Sequence, residues 1–570
     1  MISDKKNISL LADIFVKSGL ENIVISPGSR NAPIVLSFAN NPKINAFSII
    51  DERSAAFFAL GISLHTKKTT AIACTSGSAA LNYAPAIAEA YYQKIPLLII
   101  TADRPKYLID IGDGQTIKQK NVFKNYIKKS YELPENLDSP KRFEKAEEII
   151  NKALEHCLYP EPGPVHINIP FDEPIYGITK EKISGRYFES TINKAKKDDE
   201  NSIKIIADEL NKSSKVMIIA GQNQPNEKLN STLTSLAKHN NITILSETTS
   251  NIQNPLFIDT IDNIISTITD EDALDFKPEI LVTYGGQVVS KMIKKYLRKM
   301  KPKLHWHISH SGQNMDTYQC STKPISIDPE IFFKTLLQNL NPSKSNYSKI
   351  WSKKKTVTTN LKNEYLDKIA YCDLKLIDFI LHNITDGTTI HLGNSTPVRY
   401  SQLFGSRANI TYQSNRGVSG IDGQVSTALG YSYFSNKSNI IITGDLGFLY
   451  DSNSLMNYYL VPNLKIIVIN NQGGGIFRYI PGPDTTPNLE KFFETKHSWN
   501  AKYICKAFDV DYNQISANDD FRSKVLSFLN RQTDKTSLLE VHTPNEKNAM
   551  VLREYFKYLQ NGADYSCNDK

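Results

Sequence analysis

Short aliphatic runs alternate with longer stretches of helical spacing along most of the chain, and the alternation falls into three blocks. In the first, NIVIS (22–26), AFSII (46–50), TTAIACT (69–75) and PLLIITA (96–102) are predicted strands. DERSAAFFALGISLHTK and SAALNYAPAIAEAYYQ lie between them and are predicted helices. Polar GRYFESTINKAKKDDENS (185–202) breaks the pattern and reads as a linker. The second block has strands at KVMIIAG (215–221), ITILSET (242–248), EILVTYGG (279–286) and LHWHIS (304–309), and NPSKSNYSKIWSKKKTVTTN (341–360) is the next polar break. The third has TTIHLGNS (388–395), ANITYQSN (408–415), NIIITGDL (439–446), LKIIVINN (464–471) and SLLEVHT (537–543).

Strand followed by helix, repeated, implies right-handed crossovers and parallel pairing. The expected fold class is therefore α/β, with three domains that each hold a central, mostly parallel sheet flanked by helices. Their expected limits are 1–184, 185–350 and 351–570. In open parallel sheets ligands bind beyond the carboxyl ends of the strands, so the chemistry is to be sought in strand-end residues.

Composition narrows the function classes. At 570 residues the chain is too long for a single core. Hydrophobic residues make up 40% and charged residues 22%, with a mean hydropathy of −0.35, the balance of an ordinary globular protein. A net charge of +8, spread along the chain, gives no reason to expect nucleic-acid or membrane partners. Six cysteines (Cys74, Cys157, Cys320, Cys372, Cys505, Cys567) stand far apart without a C-x-x-C pair, which suits reduced thiols better than a disulfide frame or a zinc site. The amino terminus has no secretory pattern, and no apolar run approaches the ~20 residues that span a bilayer. The expected location is the cytoplasm.

Two consecutive strands of the third block end in oxygen-bearing residues, IIITGD in Asp445 and IIVINN in Asn470 and Asn471. The interval leaves room for one crossover helix, so adjacent parallel strands would bring the two ends together. A carboxylate, a carboxamide and a carbonyl freed by the glycines that follow form a hard oxygen set suited to Mg²⁺. Alone, GD after a strand and NN before glycines each read as turns; their order and spacing point to a ligand set. Asp445 with Asn471 resembles the metal–diphosphate motif of thiamine diphosphate enzymes, in which GDG is followed after one crossover by NN. Leu446 stands where that motif usually has glycine. A literal GDG at 112–114 follows no strand and is not the motif.

The resemblance implies a pyrimidine-binding N-terminal domain, a central α/β domain and a C-terminal diphosphate- and metal-binding domain. Its cofactors would be thiamine diphosphate and Mg²⁺ or Mn²⁺. Gly444, Asp445, Leu446 and Asn471 would hold the diphosphate end. Asp445, Asn471 and the Gly473 carbonyl would hold the metal, and Ser395 and Ile421 would contact the cofactor, Ile421 enforcing its bent shape. Glu52, in IIDERSAAFFALG, matches the glutamate that faces N1′ of the aminopyrimidine. Read alone, Asp51 and Glu52 are better explained as the cap and acidic first turn of a helix.

Four arginines lie on predicted strand-end segments: Arg30, Arg104, Arg399 and Arg416. Any one could be a surface residue, but four together indicate anionic substrates, because guanidinium clamps carboxylates in two-point fashion. SPGSRNAP (26–33), TSGSAALN (75–82), TADRP (101–105), GNSTPVR (393–399) and SNRGVSGIDG (414–423) narrow the resemblance. They are similar to the thiamine diphosphate-dependent transferases of menaquinone biosynthesis. That branch decarboxylates 2-oxoglutarate and adds the remaining succinyl unit to isochorismate by 1,4-addition. The resemblance implies that Ser29, Arg30, Arg104, Gln115, Lys291, Ser395, Arg399 and Arg416 line the substrate pocket, with Ile476 and Phe477 as its apolar wall. Gly114 stands where relatives usually have asparagine. Most lysines of KMIKKYLRKMKPK are expected on a solvated helix face, and only Lys291 is a site candidate. Glutamate and metal ligands come from different subunits in the family, which implies a homodimer or a tetramer built from dimers. The alternative within the family is an acetolactate synthase-like enzyme or a 2-oxoacid decarboxylase. HWHISH (His305, His307, His310) is expected to be a structural strand with exposed histidines, not a metal site.

Overall fold

The computed structural model describes residues 1–189, 200–516 and 518–565, so Cys567 and linker positions 190–199 lie outside the described residues. Each expected run forms a strand. Asn22–Ile25 (β1), Asn45–Ser48 (β2), Thr70–Cys74 (β3), Leu97–Asp103 (β4), Lys129–Glu132 (β5) and Val165–Pro170 (β6) make a sheet of order β2-β1-β3-β4-β6-β5. Val216–Ala220 (β7), Ile242–Leu245 (β8), Ile280–Tyr284 (β9), Leu304–Ser309 (β10) and Thr322–Ser326 (β11) make the second, β8-β7-β9-β10-β11. Thr389–Leu392 (β12), Thr411–Gln413 (β13), Asn439–Gly444 (β14), Leu464–Asn470 (β15), Asp511–Ile515 (β16) and Ser537–His542 (β17) make the third, β13-β12-β14-β15-β17-β16. Every pairing in these three sheets is parallel.

Four strands of these three sheets were not expected, nor was the short antiparallel pair of Ile2–Ser3 with Ile178–Thr179. β5, β11 and β16 are edge strands with polar sequences, and the Pro324 of β11 is tolerated at an edge. β6 is interior, but His166 and Asn168 interrupt its apolar run; both are bonded to the Thr101 hydroxyl of β4, at 2.7 and 2.8 Å.

The helices that matter for the site are Glu52–Thr66 (α1), Ala84–Gln93 (α2), Lys291–Met300 (α3), Tyr347–Lys368 (α4), Asp373–Asn383 (α5), Thr396–Phe404 (α6), Gln424–Phe434 (α7), Asp445–Tyr450 (α8) and Asn545–Tyr565 (α9). The polar break expected over 341–360 is largely α4. Tyr347 and Trp351 are fully buried in the core of the second block, and Tyr365 packs in the core under the third sheet. Six lysines and three threonines conceal this stripe in the sequence, and the expected limit at 350 falls inside the helix.

One core is shared by the first and third blocks. It joins Phe57, Phe58, Leu60 and Ile62 of α1 to Val425, Ala428 and Leu429 of α7 and to Ile441, Ile466 and Val468 of the third sheet. α1 and α7 meet backbone to backbone through glycine. A Cβ at Gly61 would lie 2.1 Å from the Thr427 carbonyl oxygen, and one at Gly430 would lie 2.0 Å from that of Phe58. Gly430→Ala is therefore expected to destabilise the protein by about 2 kcal/mol or more, the scale of overpacking a tight core. Chemical denaturation would show it as a lower midpoint at unchanged slope.

Candidate active site

β14 and β15 are adjacent and in register, Gly444 opposite Ile469, so Asp445 and the asparagine pair leave the sheet side by side. Asp445 opens α8, where a carboxylate complements the helix dipole. Its Oδ1 accepts the Leu446 N–H at 2.7 Å and its Oδ2 the Gly473 N–H at 2.9 Å. His497 Nε2 lies 3.3 Å from Oδ2. Asn471 donates Nδ2 to Asp373 Oδ2 at 3.1 Å, and its Oδ1 is buried without a partner. Because Asp373 takes the amide nitrogen, the oxygen is the atom left free. Asp373 opens α5 and is fully buried; burial pushes its carboxyl up to about 6, with the charge of Asp445 adding to the effect.

Gly473 sits at φ 149°, and a Cβ there would lie 2.7 Å from the Glu494 carbonyl oxygen, so this approach requires glycine. Its carbonyl accepts the Gly475 N–H at 2.9 Å and keeps a second lone pair. Gly444 ends β14, and Leu446 and Ile421 are half-buried in the segments that flank this edge. One cavity touches Asn471, Ile476, Arg399, Asp262, Asp373 and Asn548, which brings a predicted metal ligand and two predicted substrate residues together from distant segments. Phe477 packs on Phe493, with ring centroids 5.9 Å apart.

Ser395 precedes α6 at φ 73° and ψ −123°, backbone that glycine normally supplies. This turn lets its carbonyl accept Arg399 Nη1 at 2.6 Å. Arg416 is buried; Nη1 donates to Asn394 Oδ1 at 2.8 Å, and Nε has no partner. Burial depresses both guanidinium pKa values, and for Arg399 the neighbouring Arg416 adds to it. Two carboxylates from the second block face this corner: half-buried Asp262, pushed up to about 6, and fully buried Glu247, pushed up to about 7, both chiefly by loss of water. Lys291 opens α3 and is exposed. Lys294, one turn on, is an exception to the mostly solvated face: it is half-buried, and its ammonium is lowered by burial against the pull of Glu247. Its spacing from Lys291 is the signal in the sequence, since residues three apart share a helix face.

The carboxyl edge of the first sheet gathers the remaining candidates. Thr75, just past β3, accepts the Arg30 N–H at 3.2 Å and Gln115 Nε2 at 3.3 Å, while Ser76 donates to the Gln115 carbonyl at 3.0 Å. Arg30 is buried, with Nη1 on the Phe171 carbonyl at 3.0 Å and Nη2 on Glu173 at 2.9 Å. Arg104 lies 3.9 Å from Asp113, a loose pair, and the Nε atoms of both arginines are buried without partners. Ser29 is exposed, and a Cβ at Gly114 would meet open space. Asp51 caps α1 by accepting the Ser54 N–H at 3.1 Å. Glu52 Oε2 accepts Asn82 Nδ2 at 3.2 Å, and its charge adds to burial in raising the Cys74 thiol and the Tyr83 phenol beneath it.

The histidine strand is structural, but its first two histidines are not exposed. His305 and His307 are buried and share the Thr283 hydroxyl at 2.8 and 2.9 Å, because strand residues two apart point to one face. His305, Asp316 and Cys320 bring ligand atoms within 4.8 Å of one another, but the Thr322 hydroxyl already bridges His305 and Asp316.

Comparison with known proteins agrees with this geometry. Residues 7–128 match the family described as thiamine pyrophosphate enzyme, N-terminal TPP binding domain, and residues 193–383 match the middle domain of thiamine pyrophosphate enzymes. Proteins named 2-succinyl-5-enolpyruvyl-6-hydroxy-3-cyclohexene-1-carboxylate synthase are similar over nearly the whole chain. The one from Flavobacterium psychrophilum is 43% identical, covering 96% of this chain and 98% of its own length. That from Flavobacterium johnsoniae is 42% identical over 96% and 98%. That from Porphyromonas gingivalis is 37% identical over 99% of both.

Proposed function

The chain belongs to the family of 2-succinyl-5-enolpyruvyl-6-hydroxy-3-cyclohexene-1-carboxylate synthases, thiamine diphosphate enzymes, and on that premise we propose which residues carry its reaction. It is a transferase of menaquinone biosynthesis that decarboxylates 2-oxoglutarate and adds the succinyl unit to isochorismate. The observation that supports the residue assignment best is the cavity shared by Asn471, Arg399 and Ile476.

The residues present fit the cofactor and its metal. An unpartnered buried Asn471 oxygen and the buried Asp445 carboxylate, at the ends of adjacent strands, make a hard donor set for Mg²⁺ or Mn²⁺. At Gly473 the main chain passes closer to Glu494 than any side chain would allow, which fixes the loop that carries the Gly473 carbonyl. Asp445, Asn471 and the Gly473 carbonyl would hold the ion, and Gly444, Leu446, Ser395 and Ile421 the cofactor. Thiamine diphosphate, when bound, supplies the nucleophilic carbon and the electron sink that decarboxylation of a 2-oxo acid requires.

The side chains bind, orient and move protons. Glu52 would hold, and exchange, the proton that faces N1′ of the aminopyrimidine when the cofactor is bound. Arg399 and Arg416, half-buried and buried, neutralise substrate carboxylates in a site where weak screening makes each charge count. Ser29, Arg30, Arg104, Gln115 and Lys291 receive the second anion, and Ile476 and Phe477 exclude water from the reacting carbons.

We place Glu52 in the site of a second copy, in a homodimer or a dimer of dimers. Within the chain, α1 begins against residues 450–453, with Arg53 on the Tyr450 carbonyl at 2.7 Å and Asp51 on Asn453 at 2.8 Å. Among the described residues no hydrogen bond joins Glu52 to Asp445, Asn471 or Ile421. Ile50, Leu81 and Tyr450, beside it, are 59%, 48% and 53% exposed, apolar surface that a partner would cover. The five described cysteines are free and buried, consistent with a cytoplasmic enzyme, and no helix among the described residues is long and apolar enough to cross a membrane.

Incubation of the protein with thiamine diphosphate, Mg²⁺, 2-oxoglutarate and isochorismate should consume isochorismate and release CO₂, and isochorismate should persist when any one of the other components is omitted. Persistence of isochorismate in the complete mixture would refute the substrate assignment.

A further inference from the structure

The loop Ser414–Val418, which carries Arg416, is held from both other blocks. Gln222 and Gln93 donate to the Ser414 carbonyl at 2.8 and 3.3 Å, and Gln287 donates to the Gly417 carbonyl at 2.6 Å. The tightest hold comes from Glu89 of α2, a carboxylate only 1% exposed. Its Oε1 accepts the Gly417 N–H at 2.6 Å and its Oε2 the Val418 N–H at 2.7 Å, so each oxygen fixes one of the two peptides that follow Arg416. Gln93 donates to the same Oε1. A Cβ at Gly417 would lie 2.5 Å from the Glu89 carbonyl oxygen, so the loop and α2 are in contact along their main chains.

A buried carboxylate is costly unless it is fully hydrogen-bonded; burial raises the Glu89 carboxyl above its usual range, and the two N–H groups, Gln93 and Arg416 pull it back toward the ionised form, the better acceptor for both. Asn394 meanwhile holds the guanidinium through Oδ1 and the Asn415 and Gly420 carbonyls through Nδ2, at 2.6 and 2.7 Å. The unpartnered Nε of Arg416 is left as a donor for an incoming anion. We propose that Glu89 is a positioning residue for substrate recognition: by fixing the main chain after Arg416 it sets where that guanidinium meets a substrate carboxylate. This rests on the reading that Arg416 binds substrate. Gly420, on the way to Ile421, is held separately by Asn394, so loosening Glu89 leaves the cofactor end in place.

Glu89 is also a negative charge near Arg416, and a pair of variants separates geometry from charge. Glu89→Gln keeps the reach, removes the charge and turns an N–H donor toward a peptide N–H; Glu89→Asp keeps the charge and loses the reach. Both are expected to raise KM for 2-oxoglutarate or isochorismate roughly tenfold or more, the scale of losing a charged hydrogen bond, with kcat within about threefold and thiamine diphosphate affinity unchanged. A lowered KM in Glu89→Gln would make the residue a counter-ion only, and wild-type kinetics in Glu89→Asp, or a joint loss of kcat and cofactor affinity in both, would equally overturn the proposal. Arg416→Ala is the control: if it leaves both KM values unchanged, the substrate role of Arg416 fails, whatever Glu89 does. Should the Glu89 variants not fold, Gln287→Leu frees the same loop from the second block; it is expected to raise the same KM, and an unchanged value overturns the proposal.

Discussion

Glu52→Gln is expected to lower kcat by roughly 10²- to 10⁴-fold, the span that positioned acid–base groups contribute, while thiamine diphosphate still binds. The substitution is isosteric, and a carboxamide oxygen can keep accepting from Asn82, which now holds the side chain at 3.2 Å. What it removes is the capacity to exchange a proton. Calorimetric titration with the cofactor checks binding, and CO₂ release from 2-oxoglutarate alone checks whether the first half-reaction has failed. A variant that binds the cofactor and retains wild-type kcat would refute the role. The same variant tests the assembly. Mixed with an Asp445→Asn protein under subunit exchange, it should regain activity, because a heterodimer rebuilds one site from the intact Glu52 of one chain and the intact Asp445 of the other. If both groups served one chain's own site, no mixture would recover.

The strand-end chemistry was legible because parallel sheets tie sequence order to place. IIITGD and IIVINN are adjacent and in register, and the segments after β1, β3 and β4 converge on Thr75. The outer frame was less legible. Asp373 lies far from Asn471 in the chain and follows no strand; only the fold shows that it orients the amide. His497 reaches Asp445 from an irregular segment, stacked on Trp499 with ring centroids 4.8 Å apart. Glu89 sits in a helical run of small residues whose periodicity gave it no distinct meaning. In each case the polar group is buried by a partner from another element, which local pattern cannot reveal. The helix α4 was hidden for the opposite reason, since its lysines read as a solvated polar stretch, yet Lys354 and Lys362 are buried along with Tyr347 and Trp351.

Asp445→Asn is expected to weaken binding of the divalent ion by more than the roughly 100-fold that loss of an outer hydrogen-bond partner alone can cost. The carboxylate now accepts the Leu446 and Gly473 N–H groups, one on each oxygen. A carboxamide can satisfy only one of them, turns its NH₂ toward the other, and gives up the negative charge that holds a hard dication. Mn²⁺ titration followed by electron paramagnetic resonance, with thiamine diphosphate present and no substrate, reads this without relying on turnover. Asp373→Asn is the subtler companion. Its carboxylate admits only the nitrogen of Asn471, whereas an amide in its place accepts either orientation, so the Asn471 oxygen is no longer held toward the ion. An intermediate loss, roughly 10- to 100-fold, is the expected result. Wild-type Mn²⁺ affinity in Asp373→Asn would mean that the cation itself suffices to orient Asn471, and wild-type affinity in Asp445→Asn would remove the metal from this sheet edge altogether.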